Sequence, residues 1–164
     1  MKEIPLRNGG VALVDDADYD LVVGYAWRRN VMKNKRTQYA CCLRYEKPRH
    51  AVMLYMHRII AGALTGEQID HIDHDGLNNQ RSNLRVCTQS ENNANGRKRQ
   101  GCSSQYKGVT WRKDTEKWQA QAWWNGQRHS IGCFESERDA ALAYNQFAAT
   151  NYGDGTFILL NEVN

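Results

Sequence analysis

The chain has 164 residues, a hydrophobic fraction of 41%, a charged fraction of 24% and a formal net charge of +4, which allows one ordinary domain or two small ones. A mean hydropathy of −0.75 argues against a large apolar core. No run is long and apolar enough to span a bilayer, and the N-terminal MKEIPLRNGG lacks the apolar region of a secretory leader. The cysteines (Cys41, Cys42, Cys87, Cys102 and Cys133) are odd in number and form no Cys-x-x-Cys pair. That argues against a disulfide framework or a Cys-rich zinc site and fits reduced thiols in an intracellular, cytoplasmic protein.

In chain order, EIPLRNGGVALV (3–14) predicts two short strands around an Asn-Gly-Gly turn. DDADYDLVVGYAW (15–27) predicts a short helix capped by Asp16 or Asp18, with Leu21, Val22 and Tyr25 on one face. TQYACCLRY (37–45) and AVMLYMHRII (51–60) are rich in aromatic and β-branched residues and predict strands, with Lys47-Pro48-Arg49 turning between them. Residues 1–50 therefore form a β-rich region that supports the remainder of the first half. Residues 68–95 give strand, polar loop, strand and helix. Thr88 with Glu91 fits a capping box, which starts the helix and puts Asn92 in its first turn. NGRKRQGCSSQ (95–105) contains a basic linker (97–105). YKGVTW, KWQAQAWW and RHSIGCF then predict three strands, with Asn125-Gly126 turning between the last two. SERDAALAYNQFAATNYG predicts an amphipathic helix started by Ser136, stopped by Gly153 and burying Ala140, Ala141, Tyr144 and Ala148.

The densest chemistry is DHIDHDGLNNQRSNLRVCTQSEN (70–92). A divalent cation of the magnesium type takes hard oxygen ligands and keeps several waters. Asp70 and the amide oxygen of Asn92 can supply two such oxygens. The His71 imidazole titrates near neutrality and can take a proton from water. Asn83 can fix that ring, or the loop backbone, by hydrogen bonds. Isolated Asp, Asn and His clusters are usually loops. The ordered set is what carries information here.

This ordered set resembles the HNH endonucleases with their ββα-metal (His-Me finger) hairpin, over MHRII with His57, IDHIDHDGLNN, RSNLR and TQSENN (51–96). The resemblance implies that Asp70 and Asn92 bind metal, that His71 is the general base and that Asn83 braces the hairpin. It is closest to the phage and intron-type homing enzymes in which Asn replaces the final His. His74 departs from the small residue usual there, and is expected either to face solvent or to touch a phosphate. His57 is expected to support the site or touch a phosphate.

Residues 106–161 resemble the AP2 DNA-binding domain through Tyr106-Lys107-Gly108-Val109, Trp118, Ala120, Arg128, Gly132, Phe134, the AALAYN run and Asn161. That family implies a three-stranded antiparallel sheet in the major groove with one helix behind it. By position, the implied DNA contacts are Lys107, Thr110, Arg112, Gln121, Trp123, Arg128 and Ser130, while Trp118 belongs to the core. Thr110, Gln121 and Trp123 stand where the plant-type pattern carries charge, so sequence preference should differ. The whole chain is thus expected to be an α+β, two-module endonuclease. It would nick double-stranded DNA as a monomer with Mg2+ (or Mn2+). The competing expectations are a DNA-binding transcriptional regulator with a degenerate hairpin and, more distantly, an RNA-binding protein.

Overall fold

Asn8-Gly9-Gly10 folds the chain back on itself, pairing β1 (Lys2–Pro5) with β2 (Val11–Val14) in antiparallel register from Lys2↔Val14 to Pro5↔Val11. In this computed structural model, residues 1–30, 37–47, 50–98, 101–152 and 159–163 are described. They form two compact units, Met1–Cys87 and Thr88–Asn164, each built on small antiparallel sheets with short helices. The α+β expectation is met at that level.

In the first unit, α1 (Tyr19–Val22) follows a 3-10 turn and leads to β3 (Arg28–Asn30). β3 pairs with β4 (Tyr39–Lys47), which pairs with β5 (His50–Tyr55). The core holds Ile4, Leu6, Ala12, Val14, Val22, Trp27, Ala40, Cys42, Met56 and Ile60. Three expectations need correction here. Asp16 lies inside the 3-10 turn rather than before it, and Asp18, which precedes α1, makes no side-chain cap bond. Asp18 instead lies buried under Arg81, whose Nε and Nη2 donate to it at 2.8 Å. Of the proposed helix face only Val22 is buried, because the helix is a single turn and leaves Leu21 and Tyr25 exposed. The third correction concerns 51–60. The strand stops at Tyr55 and Met56–Ala61 is a helix, α2. Two isoleucines and a tyrosine made this run look extended. The helical signal was the burial spacing of Met56 and Ile60, four residues apart, closed by Gly62. Pro48 and Arg49 of the expected turn lie outside the described residues.

The first unit ends with β6 (Gln68–His71) paired to β7 (Leu84–Cys87), with Asp70 opposite Arg85 and His71 opposite Leu84. The loop between them is sewn to the N-terminal hairpin. Leu13 N donates to Leu77 O and Asn79 N donates to Leu13 O, both at 2.8 Å. Asp15 accepts from Arg81 N and Gln80 Nε2. Gly76 is buried against residues 37–39, where a Cβ would strike Gln38 O and the Tyr39 ring.

The second unit opens with α3 (Gln89–Asn95). Its capping box is complete: Thr88 Oγ1 accepts from Glu91 N, and Glu91 Oε2 accepts from Thr88 N at 2.6 Å. Such a cap stabilises a short helix by about 1 kcal/mol. The sheet β8 (Val109–Arg112), β9 (Lys117–Trp124), β10 (Gln127–Phe134) has β9 in the centre. α4 (Glu137–Asn151) is capped by Ser136 and buries Ala140, Ala141, Tyr144 and Ala148, the stripe read from the sequence. Small alanines let this helix lie close against Ala120 and Ala122 of β9. Gly153 lies outside the described residues. Part of the expected linker is structural, since Ser103 Oγ accepts from Trp111 N and Ser104 Oγ from Tyr106 N, both at 2.9 Å.

Two contacts close the second unit. Asn161 accepts from Lys107 N at 2.6 Å and donates to Lys107 O at 3.0 Å, while its backbone pairs with the Asn145 amide. Gly108 has φ +75, and a Cβ there would collide with the Tyr144 ring and Gln121 O. Gly108→Ala combines a left-handed backbone with overpacking, which together cost about 2–5 kcal/mol. The expected result is a large fall in the denaturant midpoint of the second unit, read by Trp fluorescence. An unchanged midpoint would contradict the packing described.

Candidate functional site

In the first unit, β6 delivers Asp70 and His71 side by side, 7% and 4% exposed. Alternation along the strand gives them opposite directions. Asp70 Oδ2 accepts from Arg85 Nε at 3.0 Å and Nη2 at 2.6 Å across the hairpin. His71 lies among rings. The His57 centroid is 5.1 Å away and nearly edge-on, and Tyr39 is 5.6 Å away. Burial lowers the His71 pKa, opposed by the Asn79 hydrogen bond and the nearby carboxylates of Asp73, Asp70 and Asp75. The ring is therefore neutral near pH 7 and can accept a proton.

Asn79 decides which nitrogen accepts. It is fully buried, and its Nδ2 donates to Leu77 O at 3.0 Å. That bond turns Oδ1 toward His71 Nε2, 3.4 Å away. An oxygen there needs Nε2 to carry the proton, which leaves the basic lone pair on Nδ1. Sequence reading missed Asn79. Its signal was weak, being one amide in a polar loop beside Asn78.

Asn83 takes the loop rather than the imidazole. Its Oδ1 accepts from Asp73 N at 3.0 Å, and its Nδ2 donates to Asp73 Oδ1 at 2.9 Å and Asn78 O at 2.8 Å. Asp73, also missed, is the hub, since Asp75 N and Asn78 Nδ2 donate to it at 2.8 and 2.7 Å. Burial pushes the Asp73 carboxyl up, but these hydrogen bonds together hold it below its usual 3.8. A depressed carboxylate stabilises the fold above its unfolded pKa, and that contribution is lost as pH falls through the folded value. Wild type should therefore lose more stability between pH 5 and pH 3 than Asp73→Asn, in paired denaturant titrations. Parallel curves would remove the hub assignment.

His57 sits on α2 rather than a strand. It is 8% exposed, and its Nδ1 has no hydrogen-bond partner among the described residues. Burial, then His71 and Arg58, push its pKa down to about 3, so it is a neutral wall of the site. His74 is half-buried rather than solvent-facing, and holds a left-handed φ of 65 in the turn where its N–H reaches His71 O. Glycine would hold that conformation with less strain.

Asn92 lies in the second unit, half-buried in the first turn of α3, which comes directly after β7 in the chain. Six of the seven proposed DNA contacts share one face of the second-unit sheet. Register places Thr110 beside Gln119, Arg112 beside Lys117, Arg128 beside Trp123 and Ser130 beside Gln121. Ala120 and Ala122 occupy the opposite face, under α4. Trp123 is 60% exposed. Arg128 donates to Gln121 Oε1 and Arg112 to Asp114. Lys107 is the exception, because its Nζ donates to the Asn93 and Ala94 carbonyls of α3. Gln119 and Lys117 belong to the face by alternation, which the sequence allowed one to count.

The donor chemistry of Asp70 and Asn92 fits a hydrated hard cation. Among the described residues no group of three or more His, Cys, Asp or Glu is placed to hold a metal, which does not favour an all-protein zinc cage. A cation that keeps its waters needs fewer protein ligands. It would compete with Arg85 for the Asp70 carboxylate.

A profile of the HNH endonuclease family, HNH_3, matches residues 54–94, from the end of β5 into α3. The likeness to the HNH endonucleases therefore lies in residues 54–94, about a quarter of the chain. The chain is 39% identical over 98 residues to an uncharacterized HNH endonuclease, L560, of Acanthamoeba polyphaga mimivirus, covering 58% of this chain and 49% of that protein. It is also 35% identical over 66 residues to Protein 3.8 of Escherichia phage T7, covering 40% and 54% respectively. The chain thus spans about half the length of the curated relatives it matches. No solved structure matches. No helix of the described residues is long and apolar enough to cross a membrane.

Proposed function

We propose that the chain is a metal-dependent endonuclease of the phage homing type that nicks double-stranded DNA as a monomer, with sequence read by an AP2-like C-terminal sheet. The observation that carries this reading is the neutral, buried His71, with Nε2 facing Asn79 Oδ1, beside the Asp70 carboxylate within the matched segment. His71 Nδ1 takes a proton from water as the water oxygen bonds to phosphorus; the ester P–O bond breaks, its electron pair leaves on the sugar oxygen, and that oxygen takes a proton from solvent. Asn79 holds the tautomer, His57 and Tyr39 pack the ring, and Asn83 with Asp73 keeps the loop in shape. Asp70 and Asn92 would hold the cation, Mg2+ or Mn2+, which supplies charge neutralisation at the phosphate. Arg112, Arg128, Gln121, Thr110, Ser130 and Trp123 would face the groove, and Lys107 reaches DNA only by leaving the α3 carbonyls.

One observation favours a second reading, a DNA-binding regulator with a degenerate hairpin: Arg85 already neutralises Asp70 at 2.6 Å. Supercoiled plasmids bearing the native surrounding DNA decide between them. The enzyme converts them to open circles with Mg2+ or Mn2+ and not with chelator. Binding without nicks under any common divalent metal selects the regulator. Tighter binding to RNA than to duplex DNA overturns both.

A further inference from the structure

The second unit contains a cavity of about 610 Å³, within the size range of small-ligand sites. It opens where β9 runs beyond β8. The ladder of those strands stops at Val109↔Ala120, with one more bond from Gln121 N to Gly108 O, so among the described residues no strand pairs with 122–124 on that side. α3 covers this edge, with Ser90 Oγ 3.5 Å from Trp123 O. Tyr152 O–H donates to the same carbonyl from below. Among the cavity's described lining residues Arg97, Lys98 and Lys107 are cationic and none is a carboxylate, so their field favours an anion. The lining also includes Trp123, with a largely exposed ring, and the polar groups of Asn92, Thr110 and Gln121. Cations for a phosphate, an indole for stacking and amides for a base edge together fit one nucleotide unit. The space is too small for a duplex and large enough for a single base with its sugar and phosphate.

We propose that this cavity receives a single nucleotide drawn out of the DNA duplex, stacked on Trp123 with its phosphate at Arg97 and Lys98. The proposal rests on the DNA-nuclease reading and names the form of DNA it engages. Extrusion costs unstacking energy, least where a base is already unpaired. Stacking on an aromatic side chain returns about 1–3 kcal/mol per base. Asn92 lines the same cavity, so the extruded unit would lie beside a residue proposed above as a metal ligand.

The test is binding without cleavage. His71→Ala protein is titrated, by fluorescence anisotropy, into one short duplex and into the same duplex carrying a single bulged nucleotide. The bulged duplex should bind about tenfold tighter, and Trp123→Ala or Lys98→Glu should bring the ratio close to one. In a Cys133→Ser background, bulged DNA should also slow alkylation of Cys102, an exposed residue of the lining. Equal affinity for the two duplexes, or Cys102 alkylation unchanged by bulged DNA, overturns the proposal. If the wild-type chain never nicks DNA yet the bulge preference and its loss in Trp123→Ala both hold, the nuclease reading fails and the cavity assignment stands.

Discussion

His71→Ala should reduce plasmid nicking by roughly a hundred- to ten-thousand-fold, the range for loss of a positioned general base, while the fold is kept at a lower melting temperature, since the void and the orphaned Asn79 Oδ1 both cost stability. The ring is neutral and buried, so its removal forfeits packing with His57 and Tyr39 but strands no charge. Asn79→Ala should cut the turnover number less, about ten- to hundredfold, because the ring remains and only its tautomer is released. Asn79→Asp should restore part of that loss, since a carboxylate oxygen at the same place still accepts from Nε2. Substrate KM should stay within a small factor for all three. Nicking by His71→Ala at the wild-type rate would remove the base assignment, whatever the metal dependence.

Arg85→Ala should destabilise the first unit by about 3–5 kcal/mol in chelator, the cost of leaving a buried carboxylate without its cation. Both side chains are nearly buried, at 10% and 8% exposure, so solvent cannot take over the role. If Asp70 is a metal ligand, millimolar Mg2+ or Mn2+ should recover much of the lost stability in Arg85→Ala and shift wild type much less. Combining the variant with Asn92→Ala should shrink that recovery. Equal shifts in wild type and Arg85→Ala would separate Asp70 from the metal and strengthen the regulator reading. The measurement is thermal and needs no knowledge of the target site.

Much of the architecture was legible because its signals were local. The Asn-Gly-Gly turn, the capping box at Thr88, the Asn125-Gly126 turn and the alanine stripe of α4 each lie within a few residues. The α2 helix was misread because β-branched residues outweighed a six-residue span with little periodicity to show. Asp70, His71 and Asn83 stood out as residue types in an ordered motif. Their working partners did not. Asn79 acts through a bond to Leu13, and Asp18 pairs with Arg81 across 63 positions. Long-range partners leave no spacing to read. Arg85 was reachable, because pairing the two strands of the hairpin puts it directly opposite Asp70.

The seams between Leu13 and Asn79, and between Asp15, Asp18 and Arg81, bear on how transferable the matched segment is. The matched family segment begins at residue 54, yet the loop carrying Asn79 takes its shape from residues 13–18. In this protein the HNH hairpin is not a self-sufficient cassette. Grafted alone onto a DNA-binding protein, residues 54–98 would keep every motif residue and lose the backbone that aims His71. A graft that begins at Met1 should cut, and one that begins at residue 54 should not.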